Sequence, residues 1–171
     1  ELMTSATITD RLVALSRALI GRIRGGLAQV NVLVSMFFAG MNGSVVADTA
    51  TVGALVLPAM KKAGYPAAFS AAVTGVSSTI GGIIPPSIMM IVLANATEIS
   101  IASLFAAGII PGILIGVVIM VINHYFAVKY NFERSDEPFS VRRAGKELYR
   151  SSFALLIPLV LVGSVMGGVA S

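Results

Sequence analysis

The sequence predicts an all-α polytopic membrane protein containing a re-entrant helical hairpin and a discontinuous (broken) transmembrane helix. Three observations lead there. Of the 171 residues, 56% are hydrophobic and only 12% charged, whereas charged residues make up about a quarter of a soluble domain. The twelve Lys and Arg residues fall in three groups: Arg11, Arg17, Arg22 and Arg24; then Lys61 and Lys62; then Lys129, Arg134, Arg142, Arg143, Lys146 and Arg150. The apolar stretches between the groups are punctuated by glycine, proline and hydroxyl residues. By the positive-inside rule the three groups share the cytoplasmic face, so each intervening stretch leaves that face and comes back.

Composition also excludes several functions. With no Cys there is no disulfide framework and no thiolate metal site, and a single His leaves no zinc cluster. The net charge of +4 accompanies no aromatic–basic platform, so the cations are read as membrane topology signals rather than contacts to nucleic acid. The chain starts at Glu1 without an initiator Met or a signal-peptide pattern and stops inside an apolar run at Ser171. A fragment is therefore expected.

Residues 1–26 are expected to form an interfacial amphipathic helix. Ile8, Leu12, Leu15, Leu19 and Ile23 recur at intervals of three or four, with Asp10, Arg11, Arg17 and Arg22 elsewhere around the wheel. Thr7 to Asp10 resembles a capping box, and Gly25-Gly26 ends the helix. A cytoplasmic extension of a preceding span is the alternative.

Residues 27–62 must leave and return in too few residues for two full spans, which need about 20 each. A re-entrant hairpin fits, with Val30 to Ala39 descending, a bend at Gly40 to Ser44, and Val45 to Met60 ascending. Two short tilted spans are the alternative. Backbone that leaves the helix at membrane depth must be covered by protein or face water, so the tip is interior.

Residues 63–130 open with Gly64-Tyr65-Pro66. A straight helix from Ala67 to Ala96 would measure about 45 Å, against a hydrocarbon core of about 30 Å. The run Gly81-Gly82-Ile83-Ile84-Pro85-Pro86-Ser87 interrupts it, because proline removes donors and glycine permits unwound backbone. Halves at Ala67 to Ile80 and Pro86 to Ala96 follow. Asn95 to Ser100, with Glu98, makes the outer turn, and Ile101 to Val128 returns, interrupted gently at Gly108 to Gly112 around Pro111. Residues 131–152 form a cytoplasmic basic loop with a short helix that Ser140 caps. Residues 153–171 begin a further span containing Pro158, Gly163, Gly167 and Gly168.

An interrupted helix frees carbonyl oxygens where its first half ends and amide hydrogens where its second begins. The former suit a hard cation such as sodium and the latter an anionic group. Ser77-Ser78-Thr79-Ile80-Gly81-Gly82 ends one first half and Pro86-Ser87 begins its second; the hairpin repeats this at Gly40 to Ser44 and Ser44 to Asp48. Asp48 lies one turn after Ser44 on the same face. Its carboxylate either neutralises a bound cation or accepts nearby backbone amides. Asn42 either ligates an ion or forms the turn, and Ser77, Ser78 and Thr79 either ligate or bond carbonyls in their own helix. His124 is read as interfacial, Glu98 as water-facing, Lys61-Lys62 as an orientation signal, and the Met residues as packing.

At these residues the sequence resembles the large membrane (DctM-like) subunit of tripartite ATP-independent periplasmic (TRAP) transporters. The run GGLAQVNVLVSMFFAGMNGSVVADTATVGALVLPAMKKAGY resembles that family's first hairpin. The run AAVTGVSSTIGGIIPPSIMMIVLANATEISIASLFAAGIIPGI resembles its broken helix and next span. The resemblance implies a fragment of the first half of an inverted-repeat transporter in the bacterial or archaeal cytoplasmic (inner) membrane. It implies a sodium-driven importer that takes a carboxylate, such as a C4-dicarboxylate, a sialic acid or another sugar acid, from a periplasmic substrate-binding protein. A small membrane subunit is the other implied partner, and hairpins and broken helices move as an elevator. Carried onto this chain, a sodium site falls on Asn42, Gly43, Ser44, Thr79, Gly81 and Gly82, with Asp48 in support and Pro85, Pro86 and Ser87 facing substrate. No cofactor is implied beyond the coupling ion. Many relatives have Ser-Gly-Ser where this chain has Asn42-Gly43-Ser44, which puts the ligand role of Asn42 in question.

Two other readings stand beside this one: an anion symporter of related hairpin architecture that works without a binding protein, and a structural membrane subunit. An intramembrane enzyme is disfavoured, since a protease needs two aspartates, a Ser-His or Ser-Lys pair, or a His cluster, and the membrane region offers one Asp and one His.

Overall fold

A computed structural model describes residues 2–20, 23–132 and 140–167. Glu1, Arg22, Arg134, Gly168 and Ser171 lie outside the described residues, as do the side chains of Thr7, Ile8, Asp10 and Arg143. The described residues form helices α1 (Leu2–Ile20), α2 (Gly26–Asn42), α3 (Val45–Lys62), α4 (Ala67–Ser78), a 3₁₀ turn (Thr79–Gly82), α5 (Ile88–Thr97), α6 (Ile101–Lys129) and α7 (Val141–Met166). No strand occurs among them.

Helix α2 is the centre. It packs against α1, α3, α4, α6, α7 and the 3₁₀ turn, and Ala28, Val30, Val32, Val34, Phe38 and Ala39 bury it on most of its faces. A helix buried on nearly every face belongs inside a larger assembly of helices. Helix α3 buries one stripe at four-residue spacing, Asp48, Val52, Val56 and Met60, so the carboxylate shares the face that the apolar residues turn inward. Helix α6 buries only Phe105, Gly108, Gly112, Gly116, Ile119, Asn123 and Ala127. Its other faces expose Ile110, Leu114, Val117, Val118, Val121 and Ile122. Among the described residues it is the one helix long and apolar enough to cross a membrane, while α2 and α5 are apolar but shorter.

Several boundaries differ from the sequence expectation. Helix α1 already runs at Leu2, so Thr7 stands inside it rather than at its start. Its buried residues include Leu12, Leu15 and Ser16, whereas Leu19 and Ile23 are exposed, because α2 and α7 cover it together. The chain reversal after α2 occupies two residues, Gly43 and Ser44, rather than five. Pro111 does not interrupt α6, and Pro58 and Pro158 likewise lie within helices. Ser140 holds the N-cap position of α7 in extended backbone without a side-chain capping bond, and that helix continues past Ser152 to Met166.

Aromatic rings gather at one end of the molecule. Tyr65 lies 4.7 Å from Phe132 between ring centroids, Phe69 lies 5.0 Å from Phe132, and Phe126 stacks on Tyr130 at 6.0 Å. Beside them Arg24 donates to Asn131 Oδ1 at 2.7 Å. Segments adjoining all three basic groups therefore meet at one end.

Candidate functional site at the hairpin tip and the helix break

The reversal between α2 and α3 is built residue by residue. Gly43 adopts the left-handed region at φ 59° and donates its N–H to Ala39 O at 3.1 Å, a conformation that suits glycine because it has no Cβ. Asn42 Oδ1 accepts the Ser44 N–H at 3.0 Å. Ser44 is extended and caps α3, its Oγ accepting the Ala47 N–H at 3.4 Å. Asn42 thus holds the turn through its side-chain oxygen.

The second interruption is built differently. After Ser78 the chain tightens into the 3₁₀ turn, and Ile83 and Ile84 both donate to Ile80 O at 2.9 Å. Ser87 then caps α5, accepting the Met90 N–H at 3.4 Å while donating to Gly82 O at 2.8 Å. One buried hydroxyl thus ties the two sides of the break together.

Tip and break are in direct contact. Ile88 donates its N–H to Gly43 O at 3.2 Å. A Cβ added to Gly43 would lie 2.3 Å from Pro86 O, and one on Gly81 would lie 3.7 Å from the Ser44 carbonyl carbon. One on Gly82 would meet Val45 Cγ2 at 3.4 Å. Gly43, Ser44, Gly81, Gly82, Pro86 and Ser87 are therefore brought together, and the Pro85 carbonyl oxygen faces Gly40. Four helix ends converge: the C-terminal ends of α2 and of the 3₁₀ turn, and the N-terminal ends of α3 and α5. Carbonyl oxygens and amide hydrogens are both concentrated there. Thr79 stands apart, exposed, with its hydroxyl donating to Val76 O at 2.7 Å.

Asp48 sits one turn below Ser44, its N–H bonded to Ser44 O at 2.9 Å. It is fully buried, and neither carboxylate oxygen has a hydrogen-bond partner. The backbone-amide role considered for it is not the one seen. The hydroxyls of Ser78 and Ser35 face it, and the Ser78 hydroxyl is itself buried and unpartnered. Buried polar groups without partners are costly.

Below Asp48 runs a polar seam of which sequence reading picked out only Ser77. Asn31 donates to Thr74 Oγ1 at 2.7 Å and to Met60 Sδ at 3.7 Å. Ser77 Oγ lies 3.2 Å from Ser35 Oγ and 3.4 Å from Asn31 Oδ1. Thr74 continues to Ser70 O at 2.9 Å. The available signal was periodicity: Asn31 and Ser35, like Ser70, Thr74 and Ser77 or Ser78, recur at helical spacing on one face. His124 and Glu98 are exposed and far from this seam in sequence and element order.

Comparison with known proteins agrees with the motifs. Residues 1–171 match the family described as "Tripartite ATP-independent periplasmic transporter, DctM component". The chain is 37% identical over 99% of its length to a sialic acid TRAP transporter permease protein of Haemophilus influenzae, covering 27% of that protein. It is 37% identical over 97% of its length to a C4-dicarboxylate TRAP transporter large permease protein of Pseudomonas aeruginosa, covering 39% of it. A 2,3-diketo-L-gulonate TRAP transporter large permease protein of Escherichia coli is 34% identical over 98% of the chain, with 39% of that protein covered. The chain thus spans well under half the length of these curated relatives. It belongs to the DctM family, the large permease components of tripartite ATP-independent periplasmic transporters.

Proposed function

We propose that this chain supplies an ion-binding and substrate-facing element of the large permease subunit of a sodium-coupled TRAP-type importer. Its cargo is a carboxylate of the C4-dicarboxylate or sugar-acid class, delivered by a periplasmic binding protein, and it works with a small membrane subunit in the inner membrane. The relatives named for sialic acid, C4-dicarboxylate and 2,3-diketo-L-gulonate support a carboxylate cargo, while a further relative is named for isethionate, a sulfonate, so organic anions are the wider class.

The observation that carries the reading is the docking of the Gly43 tip on Pro86 to Ile88 above a buried, unpartnered Asp48. Carbonyl-rich helix ends beside a carboxylate suit sodium, and the N-terminal ends of α3 and α5 suit an anion. The sodium ligands in this reading come from Asn42, Gly43, Ser44, Gly81 and Gly82, with Asp48 as the compensating charge and Pro85, Pro86 and Ser87 facing the substrate. Thr79 is the weakest member of the set, its hydroxyl being held by Val76 O.

Helix length supports a disposition in the membrane. Helix α2 has 17 residues and α5 has 10; at 1.5 Å per residue these reach about 26 and 15 Å, short of a core of about 30 Å. Helix α6, with 29 residues, spans it with length to spare. This supports α2–α3 as a re-entrant hairpin and α4–α5 as one broken span, with the aromatic end cytoplasmic.

The test uses the full-length subunit with its small subunit and binding protein in sealed vesicles. Asp48→Asn and Ser44→Ala are expected to weaken sodium-dependent uptake. Unaltered sodium dependence in both variants refutes the assignment.

A further inference from the structure

Helix α6 contributes no residue to the proposed site, yet its buried stripe is shaped around the break. Gly108, Gly112 and Gly116 recur at four-residue spacing on its inward face. A Cβ on Gly108 would come within 2.5 Å of Ile83 O and 2.4 Å of Met90 Cε. One on Gly112 would come within 2.4 Å of Ile84 Cγ1, and one on Gly116 within 2.5 Å of Met36 Sδ. Ile83 and Ile84 lie between Gly82 and Pro85, at the middle of the break. Met90 donates to the Ser87 hydroxyl that closes it.

We infer that Gly112, with Gly108 beside it, is a positioning residue for the transport site: its missing side chain is the notch that seats Ile84 and sets the depth at which the break meets the hairpin tip. The consequence for sodium rests on the function proposed above; the consequence for position does not. The three notches differ in what they receive. At Gly108 the obstacle is a backbone carbonyl and at Gly112 a β-branched side chain near its root, neither of which yields easily. At Gly116 it is the far part of a methionine, which repacks. The rail holds α2 as well, since Gln29 donates to Met120 O at 2.8 Å, so α6 indexes both partners of the tip–break contact.

The experiment uses the full-length subunit with its partners in vesicles. Gly112→Ala is expected to raise the sodium concentration for half-maximal uptake by about tenfold with a smaller change in maximal rate, because a misplaced binding group loses affinity steeply. Adding Ile84→Ala to Gly112→Ala moves the methyl group across the contact and is expected to restore the sodium response to within about twofold, as coupled neighbours do. Gly116→Ala and Gly75→Ala, the latter with nothing within 4 Å, should leave it unchanged. A second readout is independent of sodium. These 171 residues hold no cysteine, and in a full-length subunit from which any other cysteine has been replaced the pair Val45→Cys and Gly82→Cys reports tip–break distance by disulfide formation. Gly112→Ala is expected to slow that cross-linking and Ile84→Ala to restore it. Equal effects of Gly75→Ala and Gly112→Ala, failure of the double variant to recover, or a cysteine pair that never cross-links overturns the inference. Sodium-independent uptake by the unaltered protein instead refutes the proposed function, and the cross-linking alone then decides this one.

Discussion

Replacing Gly43 by Ala tests whether the tip and the break are one structure. Two penalties combine at this position. The first is conformational: φ 59° lies in the left-handed region, where an L side chain costs about 1–2 kcal/mol. The second is steric. The new Cβ would stand 2.3 Å from Pro86 O, 3.0 Å from Ser87 Cα and 3.1 Å from Ile88 N, all backbone-attached atoms that cannot swing aside. The core is overpacked, at about 1–3 kcal/mol, and the break withdraws enough to lose the Ile88–Gly43 hydrogen bond, worth about 1 kcal/mol. The steric part is therefore about 2–4 kcal/mol. Gly64 separates the two penalties, because it has φ 79° with nothing within 4 Å of an added Cβ. Gly64→Ala is expected to show the conformational part alone. The measurement is reversible unfolding of the full-length subunit in mixed micelles, alongside uptake in vesicles. Gly43→Ala should be the less stable variant by about 2–4 kcal/mol and should lose most uptake, while Gly64→Ala retains it. Equal stability of the two refutes the docking of tip on break.

Other expectations follow from the same contacts. Ser87→Ala removes both the tie to Gly82 O and the cap on α5; it should lower stability by about 1–2 kcal/mol and weaken uptake, and unchanged behaviour in both assays would count against its closing role. Thr74→Val leaves Asn31 Nδ2 with only the Met60 sulfur and should destabilise by about 1–3 kcal/mol, whereas Thr97→Val, at an exposed hydroxyl bonded to Leu93 O, should change stability by no more than about 0.5 kcal/mol; similar values for the two would show that the seam carries little. Single cysteines at Gly64 and Asn131 should both react with an impermeant reagent from the cytoplasmic side, and periplasmic labelling of either would overturn the shared-face orientation.

Much of the helix order is legible in two cues. The basic groups lie at or beside helix ends and loops, and clustered glycine and proline locate interruptions between helices. The reading fails where one cue is asked to stand for geometry. Pro111 reads as a break, but a lone proline within a long apolar helix removes a single bond, which the remaining turns absorb. Around Gly81 to Ser87 two prolines and two glycines act together, and α4 ends ahead of them at Ser78 while α5 starts after them at Ile88, rather than at the expected Ile80 and Pro86. Thr7 to Asp10 carries capping residues, but a cap is defined by where helical backbone starts, and it starts earlier.

The site is only half legible for a related reason. Asn42, Ser44 and Asp48 stand out as polar letters in an apolar run, and Gly81, Gly82 and Ser87 stand out beside prolines, so each cluster is visible separately. That the two meet is a property of the fold: the contact is a backbone carbonyl on a backbone amide, Gly43 to Ile88, and backbone atoms leave no trace in residue type except the glycine that lets them approach. The seam of Asn31, Ser35, Thr74 and Ser77 is hidden differently. Each is a small polar residue among many in apolar helices, and only pairing α2 with α4 turns them into a column leading to Asp48. Under the function proposed above, the buried carboxylate at the head of that column is the charge that compensates the ion, on the stripe that Val52 and Val56 continue.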